Sequence, residues 1–129
     1  MIRPILIAAA LAAATPASAF TSSNGMLVEA VGPVTFSVRA RGGNLGASDF
    51  WCGAGEYTKR RLNAAHNTRI FRLSEPPRRG GQPIVFSLDP AGRASSTGLG
   101  SIGRDDGSLS VAAALQQCQV SRMLNQNFR

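Results

Sequence analysis

The chain has one histidine, two cysteines and seven acidic residues, and no acid follows Asp106. These shortages exclude whole classes of chemistry. A structural zinc site needs four Cys or His ligands, and His66, Cys52 and Cys118 are too few. Gly98-Leu99-Gly100-Ser101-Ile102-Gly103 matches the dinucleotide pattern G-x-G-x-x-G. That pattern works only between a strand and a helix, with an acid about 20 residues further on. Here Ser95-Ser96-Thr97 precedes it and no such acid exists, so it reads as a glycine-rich loop. Asp105-Asp106-Gly107 lacks the ligand spacing and closing glutamate of a calcium loop and reads as a turn. No metal and no cofactor is expected. The apolar run 5–14 reaches little more than half of the about 20 residues that a spanning helix needs.

What is present begins with that run. Arg3 precedes it, Thr15-Pro16 breaks it, and Ala17-Ser18-Ala19 offers the small residues a signal peptidase requires. Residues 1–19 are expected to be a cleaved signal peptide, with a single domain over 20–129 and no integral membrane segment left. A single arginine points to the general export route. The expected location is periplasmic or secreted, and in such a compartment Cys52 and Cys118 are expected to join. Without Arg3, thirteen Lys/Arg face seven Asp/Glu, so the mature chain stays basic.

Residues 26–31 predict a short strand, turned by Gly32-Pro33. Val34, Phe36, Val38 and Ala40 then alternate with Thr35, Ser37, Arg39 and Arg41, a half-buried strand. Ser48 or Asp49 is expected to cap a helix through Leu62, with Trp51, Ala54, Gly55, Thr58 and Leu62 on one stripe. Gly53 and Gly55 each weaken a helix by about 1 kcal/mol, which close approach to a sheet would explain. Glu56 and Arg60 are spaced for an exposed ion pair. Strands are expected at 68–73 and 84–88, then a long loop at 91–107 that is functional or mobile. A second helix carries Val111, Ala112, Leu115 and Cys118 behind a Ser108 or Ser110 cap, and 121–129 reads as a frayed tail. The order strand, strand, helix, strand, strand, helix predicts an α+β domain. It has a mainly antiparallel sheet of about four strands, two helices and one disulfide.

Catalytic candidates are few. Cys52 at a helix start with His66 as base would be a sound thiol pair, but a disulfide removes it. A ribonuclease-like set would draw on His66, Glu56, Glu75, Arg69 and Arg72. His66 and Glu75 lie at opposite ends of one strand, about 30 Å apart at 3.3 Å per residue, so Glu56 would have to fold back instead. The basic residues Lys59, Arg60, Arg61, Arg78 and Arg79 form the expected anion-binding surface, for an anionic surface or an acidic envelope partner. Trp51, Tyr57 and Phe71 fit the core rather than a stacking platform for nucleic acid. The expected function is therefore non-catalytic binding or an accessory role, with a small secreted hydrolase as the alternative.

Phe50-Trp51-Cys52-Gly53-Ala54-Gly55-Glu56-Tyr57, Ser74-Glu75-Pro76-Pro77-Arg78 and Val85-Phe86-Ser87-Leu88-Asp89-Pro90 resemble segments of small exported alphaproteobacterial proteins. The resemblance implies export and brings no activity with it.

Overall fold

Alternating strands and tight turns build one antiparallel sheet, with one helix laid on a face of it and a second packed against the first. The structure, a computed structural model, describes residues 19–42, 45–100 and 104–127. The expected signal peptide lies outside the described residues except for Ala19. The elements are β1 (Phe20–Thr21), β2 (Leu27–Ala30), β3 (Thr35–Arg39), α1 (Ala47–Arg60), β4 (Arg69–Arg72), β5 (Ile84–Ser87), β6 (Ser108–Ser110) and α2 (Val111–Asn127). The sheet order is β1-β2-β3-β5-β4-β6, with every neighbouring pair antiparallel. The expected α+β class holds, as does the Cys52–Cys118 disulfide. The strand count is six, not four.

The two additional strands are edges of two and three residues, too short for alternation to register. β1 is set by a turn in which Ser22 Oγ accepts the Met26 N–H at 3.0 Å. β6 pairs Ile70 with Leu109. Its last residue, Ser110, then caps α2 by accepting the Ala113 N–H at 3.1 Å. Short edges leave little ladder open to a second chain.

One sheet face carries Val28, Phe36, Val38, Ile84, Phe86 and Ile70, all buried. Over them, Phe20, Tyr57, Phe36, Phe86 and Trp51 form a chain of ring contacts with centroids 4.6–5.9 Å apart. Such pairs add about 0.5–1.5 kcal/mol each beyond area burial. The opposite face carries Glu29, Ser37 and Arg69 and is wet.

α1 starts earlier than expected. Gly46 holds the cap position, and Asp49 at the third helical position reaches back to the Gly46 N–H at 2.9 Å. The single apolar stripe also fails, because every residue from Asp49 to Thr58 is buried. The two glycines give the reason. A Cβ on Gly53 would lie 3.1 Å from Met26 Cβ and Val38 Cγ1, so this face meets the sheet. A Cβ on Gly55 would lie 2.9 Å from Ala114 Cβ and 3.0 Å from the Ala114 and Leu115 backbone, so this face meets α2. Two residues are about 200° of helix, so α1 has the sheet on one side and α2 on the other.

α2 runs well past Cys118, which lies mid-helix rather than near the end. Ser121 is fully buried and donates to Asp49, so the expected frayed tail is helix as far as Asn127. Glu56 is buried too, not exposed. It accepts the Ser23 N–H at 2.7 Å and stands 3.9 Å from Arg60. The disulfide closes a loop of sequence separation 66, worth about 4 kcal/mol in the chain-entropy treatment.

This packing sets what substitutions at its two glycines and its disulfide should do to stability. Helix propensity alone makes both glycine-to-alanine changes stabilising by about 1 kcal/mol. Gly55→Ala should instead destabilise by about 1–3 kcal/mol, because helix backbone cannot retreat. Gly53→Ala should stay within about 1 kcal/mol of neutral, since side chains face it. Urea unfolding measures both, and a Gly55→Ala protein as stable as the parent would refute the close contact. The Cys52→Ser/Cys118→Ser double variant should lose about 4 kcal/mol in the same assay.

Candidate anion-binding pocket

β4 reads Arg69-Ile70-Phe71-Arg72, so Ile70 and Arg72 point to the same face by strand parity. That face is the core. Arg72 is 1% exposed and stands opposite Phe86 of β5. Its Nε donates to the Ser74 carbonyl at 2.7 Å and its Nη1 to the Thr97 carbonyl at 2.9 Å. Its Nη2 is buried and has no acceptor among the described residues. No carboxylate touches it either, for the described ion pairs are Arg60–Glu56 and Arg69–Asp106. Desolvation lowers the pKa of this guanidinium and the Arg78 charge adds to that, against support from Glu75 and Asp105. Arginine nonetheless stays charged at any ordinary pH. A charged donor left unmade costs more than the about 1–3 kcal/mol of a neutral one.

The glycine-rich loop holds this arginine. Thr97 gives its N–H and hydroxyl to the two oxygens of Asp105, at 2.8 and 2.7 Å. Its carbonyl also accepts Trp51 Nε1 at 2.9 Å. Glu75 takes both the N–H and the hydroxyl of Ser95 at 2.7 Å. Ala94 N–H donates to the Arg72 carbonyl, and Arg72 N–H to the Gly107 carbonyl at 2.9 Å. The described part of the expected loop is thus anchored at four side chains. Residues 101–103 of the glycine motif lie outside the described residues. Gly98 has φ +78°, and a Cβ there would collide with Arg72 Nη1.

Beside Arg72 is a pocket of about 250 Å³. Its lining includes the two arginines Arg72 and Arg78, the start of α1 at Gly46 and Ala47, and apolar residues such as Leu45, Pro76 and Pro77. Arg78 lies over the Phe50 ring, 4.7 Å from the centroid, and its Nη1 donates to the Gln82 carbonyl at 3.1 Å. Gly46 has no side chain to accept the N–H groups of the first turn, so the positive end of α1 is left uncapped by a side chain there. Asp49 belongs to the same turn but is turned toward Gly46 N–H and Ser121.

A larger cavity of about 350 Å³ lies between α2 and the β1–β2 turn, lined by Asn24, Ser121 and Arg122 among others. Its buried polar groups satisfy one another: Asn24 Nδ2 donates to the Asp49 carbonyl at 2.9 Å, and Ser121 to the Asp49 carboxylate. Volume favours this cavity, but Arg72, with its unpaired and fully buried nitrogen, is among the residues lining the smaller pocket.

The ribonuclease-like set is not assembled. His66 is exposed in the turn before β4. Glu56 is engaged at Ser23. Arg69, on the wet face, donates to Ser108 Oγ at 2.6 Å, and Arg72 is on the opposite face. None of these four pairs with another in a hydrogen bond or ion pair among the described residues. The basic surface is divided as well. Lys59 and Arg60 close the last turn of α1 and Arg61 follows it, whereas Arg78 lies at its first turn. Fourteen residues of helix separate those ends by about 20 Å. Arg61 covers the Phe20 ring at 5.5 Å, and Arg79 is exposed. Only Arg78 of the expected surface reaches the pocket, where it meets Arg72 from the catalytic candidates. Thr97, Gly98 and Asp105 were not singled out from the sequence as site residues. The shared parity of Ile70 and Arg72 was the available signal.

No protein-family model, curated protein or solved structure matches the chain, so its own residues carry the functional reading.

Acid should release the anchor. Desolvation raises the Asp105 pKa, but the Thr97 hydroxyl and the N–H groups of Gly107 and Thr97 outweigh it, and the net shift is downward. A depressed carboxyl supports the fold above its unfolded value near 4 and loses that support as pH falls through the folded value. Trp51, the single tryptophan, should therefore change its emission below about pH 4 as Thr97 is released. Asp105→Asn should show the released spectrum at pH 7 and lack the transition. An unchanged acid profile in that variant would refute the anchoring role.

Proposed function

We propose that this is an exported, disulfide-tied binding domain that catalyses nothing and holds a small anion between Arg72, Arg78 and the first turn of α1. The observation that carries the reading is the buried Arg72 Nη2 with neither acceptor nor carboxylate in contact among the described residues. Buried polar groups in folded proteins are nearly always paired, and an unpaired one calls for a partner from outside the chain. Two like charges, Arg72 and Arg78, border one pocket and repel until an anion comes between them. The positive end of α1 favours the same sign of ligand, with the Gly46 N–H already taken by Asp49.

Export is supported by the charged, apolar and small-residue order of the first nineteen residues and by the disulfide, which suits an oxidising compartment. The likeness to small exported alphaproteobacterial proteins agrees with it. A periplasmic or secreted binding domain has no need of the scattered His66, Glu56 and Arg69.

Thermal unfolding in acetate, 4-methylpentanoate, phosphate or sulfate, against chloride at equal ionic strength, tests the reading. At least one anion should raise the midpoint, with a gain of about 2.7 kcal/mol at one hundred times its Kd. Arg72→Lys keeps the charge but loses Nη2 and should abolish most of the gain. Arg78→Gln, at a half-buried position, should weaken it without harming the fold. A parent protein indifferent to all four anions would overturn the proposal.

A further inference from the structure

We infer that the end of the molecule formed by the β2–β3 turn and the last turn of α1 docks on an anionic bilayer surface. It lies at the other end of α1 from the Arg72 pocket. The β2–β3 turn is apolar where turns are ordinarily polar. Val31, Pro33 and Val34 are all exposed, the two valines at 61% and 39%. Single exposed apolar residues need no explanation, whereas three in one four-residue turn form a patch. The turn is also held stiff. Val31 and Gly32 N–H groups donate to the Thr35 carbonyl at 2.9 and 3.0 Å, and Leu88 N–H to the Val34 carbonyl at 2.9 Å. A stiff tip loses little freedom on docking, so it keeps most of what its valines gain by leaving water.

Helix α1 brings the charge. Its Gly53 meets Val38, and its Tyr57 lies over Phe36 with ring centroids 4.6 Å apart, so the helix runs along β3 toward the β2–β3 turn. From Tyr57 to Arg61 it climbs about 6 Å, and from Phe36 back to Val34 the strand covers about 7 Å. Lys59, Arg60 and Arg61, all exposed, therefore stand level with the apolar tip. Arg60 is near the buried Glu56, yet its side chain stays 63% exposed. Among the described residues, Glu29 and Asp89 are exposed acids at this end, beside Ala30 of β2 and after Leu88. Three cations against two acids leave a positive surplus, to which cleavage before Phe20 would add an α-ammonium. Apolar side chains beside cations suit a lipid interface with negative headgroups, where each signal alone holds weakly.

The route of the chain favours a bilayer over a protein partner. β1 runs antiparallel to β2, with Phe20 opposite Val28 and Thr21 opposite Leu27, so the chain reaches Phe20 from the side of Glu29 and Ala30. Residues 15–19 separate Phe20 from the apolar run 5–14, a reach of at most about 18 Å. A signal held in the membrane would thus present this end to the lipid, and not the end that carries Arg78.

Co-sedimentation of the chain from Phe20 onward, which holds every described strand and helix, tests the inference. The probes are vesicles of phosphatidylglycerol and phosphatidylcholine in equal parts, and vesicles of phosphatidylcholine alone. The expected result is salt-sensitive binding to the first and none to the second. The Val31→Ser/Val34→Ser double variant should bind about tenfold more weakly, and Lys59→Gln about fivefold. Arg79→Gln, at the far end of α1, should change binding by less than about twofold. All four positions are exposed, and unchanged Trp51 emission checks that each variant is folded. Binding that ignores the valines overturns the inference, because charge alone then explains it. Equal losses in Lys59→Gln and Arg79→Gln overturn it too, since any basic surface would then serve. Absence of vesicle binding defeats it outright, and valine-dependent self-association in the ultracentrifuge would then give the tip to a second copy.

Discussion

Thr97 offers one carbonyl oxygen to two buried donors, Trp51 Nε1 and Arg72 Nη1, each at 2.9 Å. One donor belongs to α1 and the other to β4, and a carbonyl has two lone pairs, so the acceptor is fully used. A segment without regular secondary structure thus joins the helix layer to the sheet at this corner. Its own position is fixed by Asp105, which clasps the Thr97 N–H and hydroxyl. Loss of the carbonyl would strand an indole N–H and a guanidinium N–H together, in surroundings where each unmade bond costs about 1–3 kcal/mol or more. Gly98 follows for a steric reason: the chain must turn with positive φ directly against the guanidinium.

The pocket also depends on where α1 begins, and that is decided far away. Gly53 lets the helix down onto Met26 and Val38, Gly55 lets α2 down onto the helix, and Cys52–Cys118 holds the helices together. A helix clamped along both sides is a poor hinge. Its first turn, and Phe50 with it, is therefore held at a set distance from β4. The aromatic chain from Phe20 to Trp51 continues the same packing up to the indole that meets Thr97. Fold and site are one construction, with the loop as its last piece.

This bears on what could be read from the residues beforehand. Alternation in 34–41, the helix around Trp51 and the thiol pairing were legible, since each depends on local period or on a covalent rule. The edges β1 and β6 were not, because two or three residues carry no period and owe their state to the neighbours Val28 and Ile70. The stripe on α1 failed because a helix covered on both sides has no wet face to contrast with. Lys59, Arg60, Arg61, Arg78 and Arg79 looked like one cluster along the chain, yet α1 holds its two halves about 20 Å apart. Arg72 stood with Arg69 in the ribonuclease-like set, although its parity with Ile70 placed it in the core. Charge is a strong prior for the surface, and here strand geometry overrode it. The 91–107 segment was judged by glycine and serine content, whereas Trp51, Arg72 and Glu75 from outside it, with its own Asp105, order it. Composition records none of them.

One acid stands near Arg72 and is yet not used by it. Glu75 is three residues from Arg72 and acts on its charge, so the chain had a counter-ion to hand. Both oxygens of that carboxylate go instead to Ser95, tying down the loop that carries Thr97. A purely structural arginine would be served better by closing that ion pair, or by a hydrophobic residue in its place, since buried charge is seldom a net source of stability. Here the chain orders the loop around the guanidinium, satisfies two of its nitrogens with carbonyls, and leaves the third beside a pocket bordered by a second arginine. Local rules that are broken together, at one concave place, are the usual mark of a site kept for something other than stability. The arrangement is unfavourable for the chain alone, and the proposed anion is what would offset it.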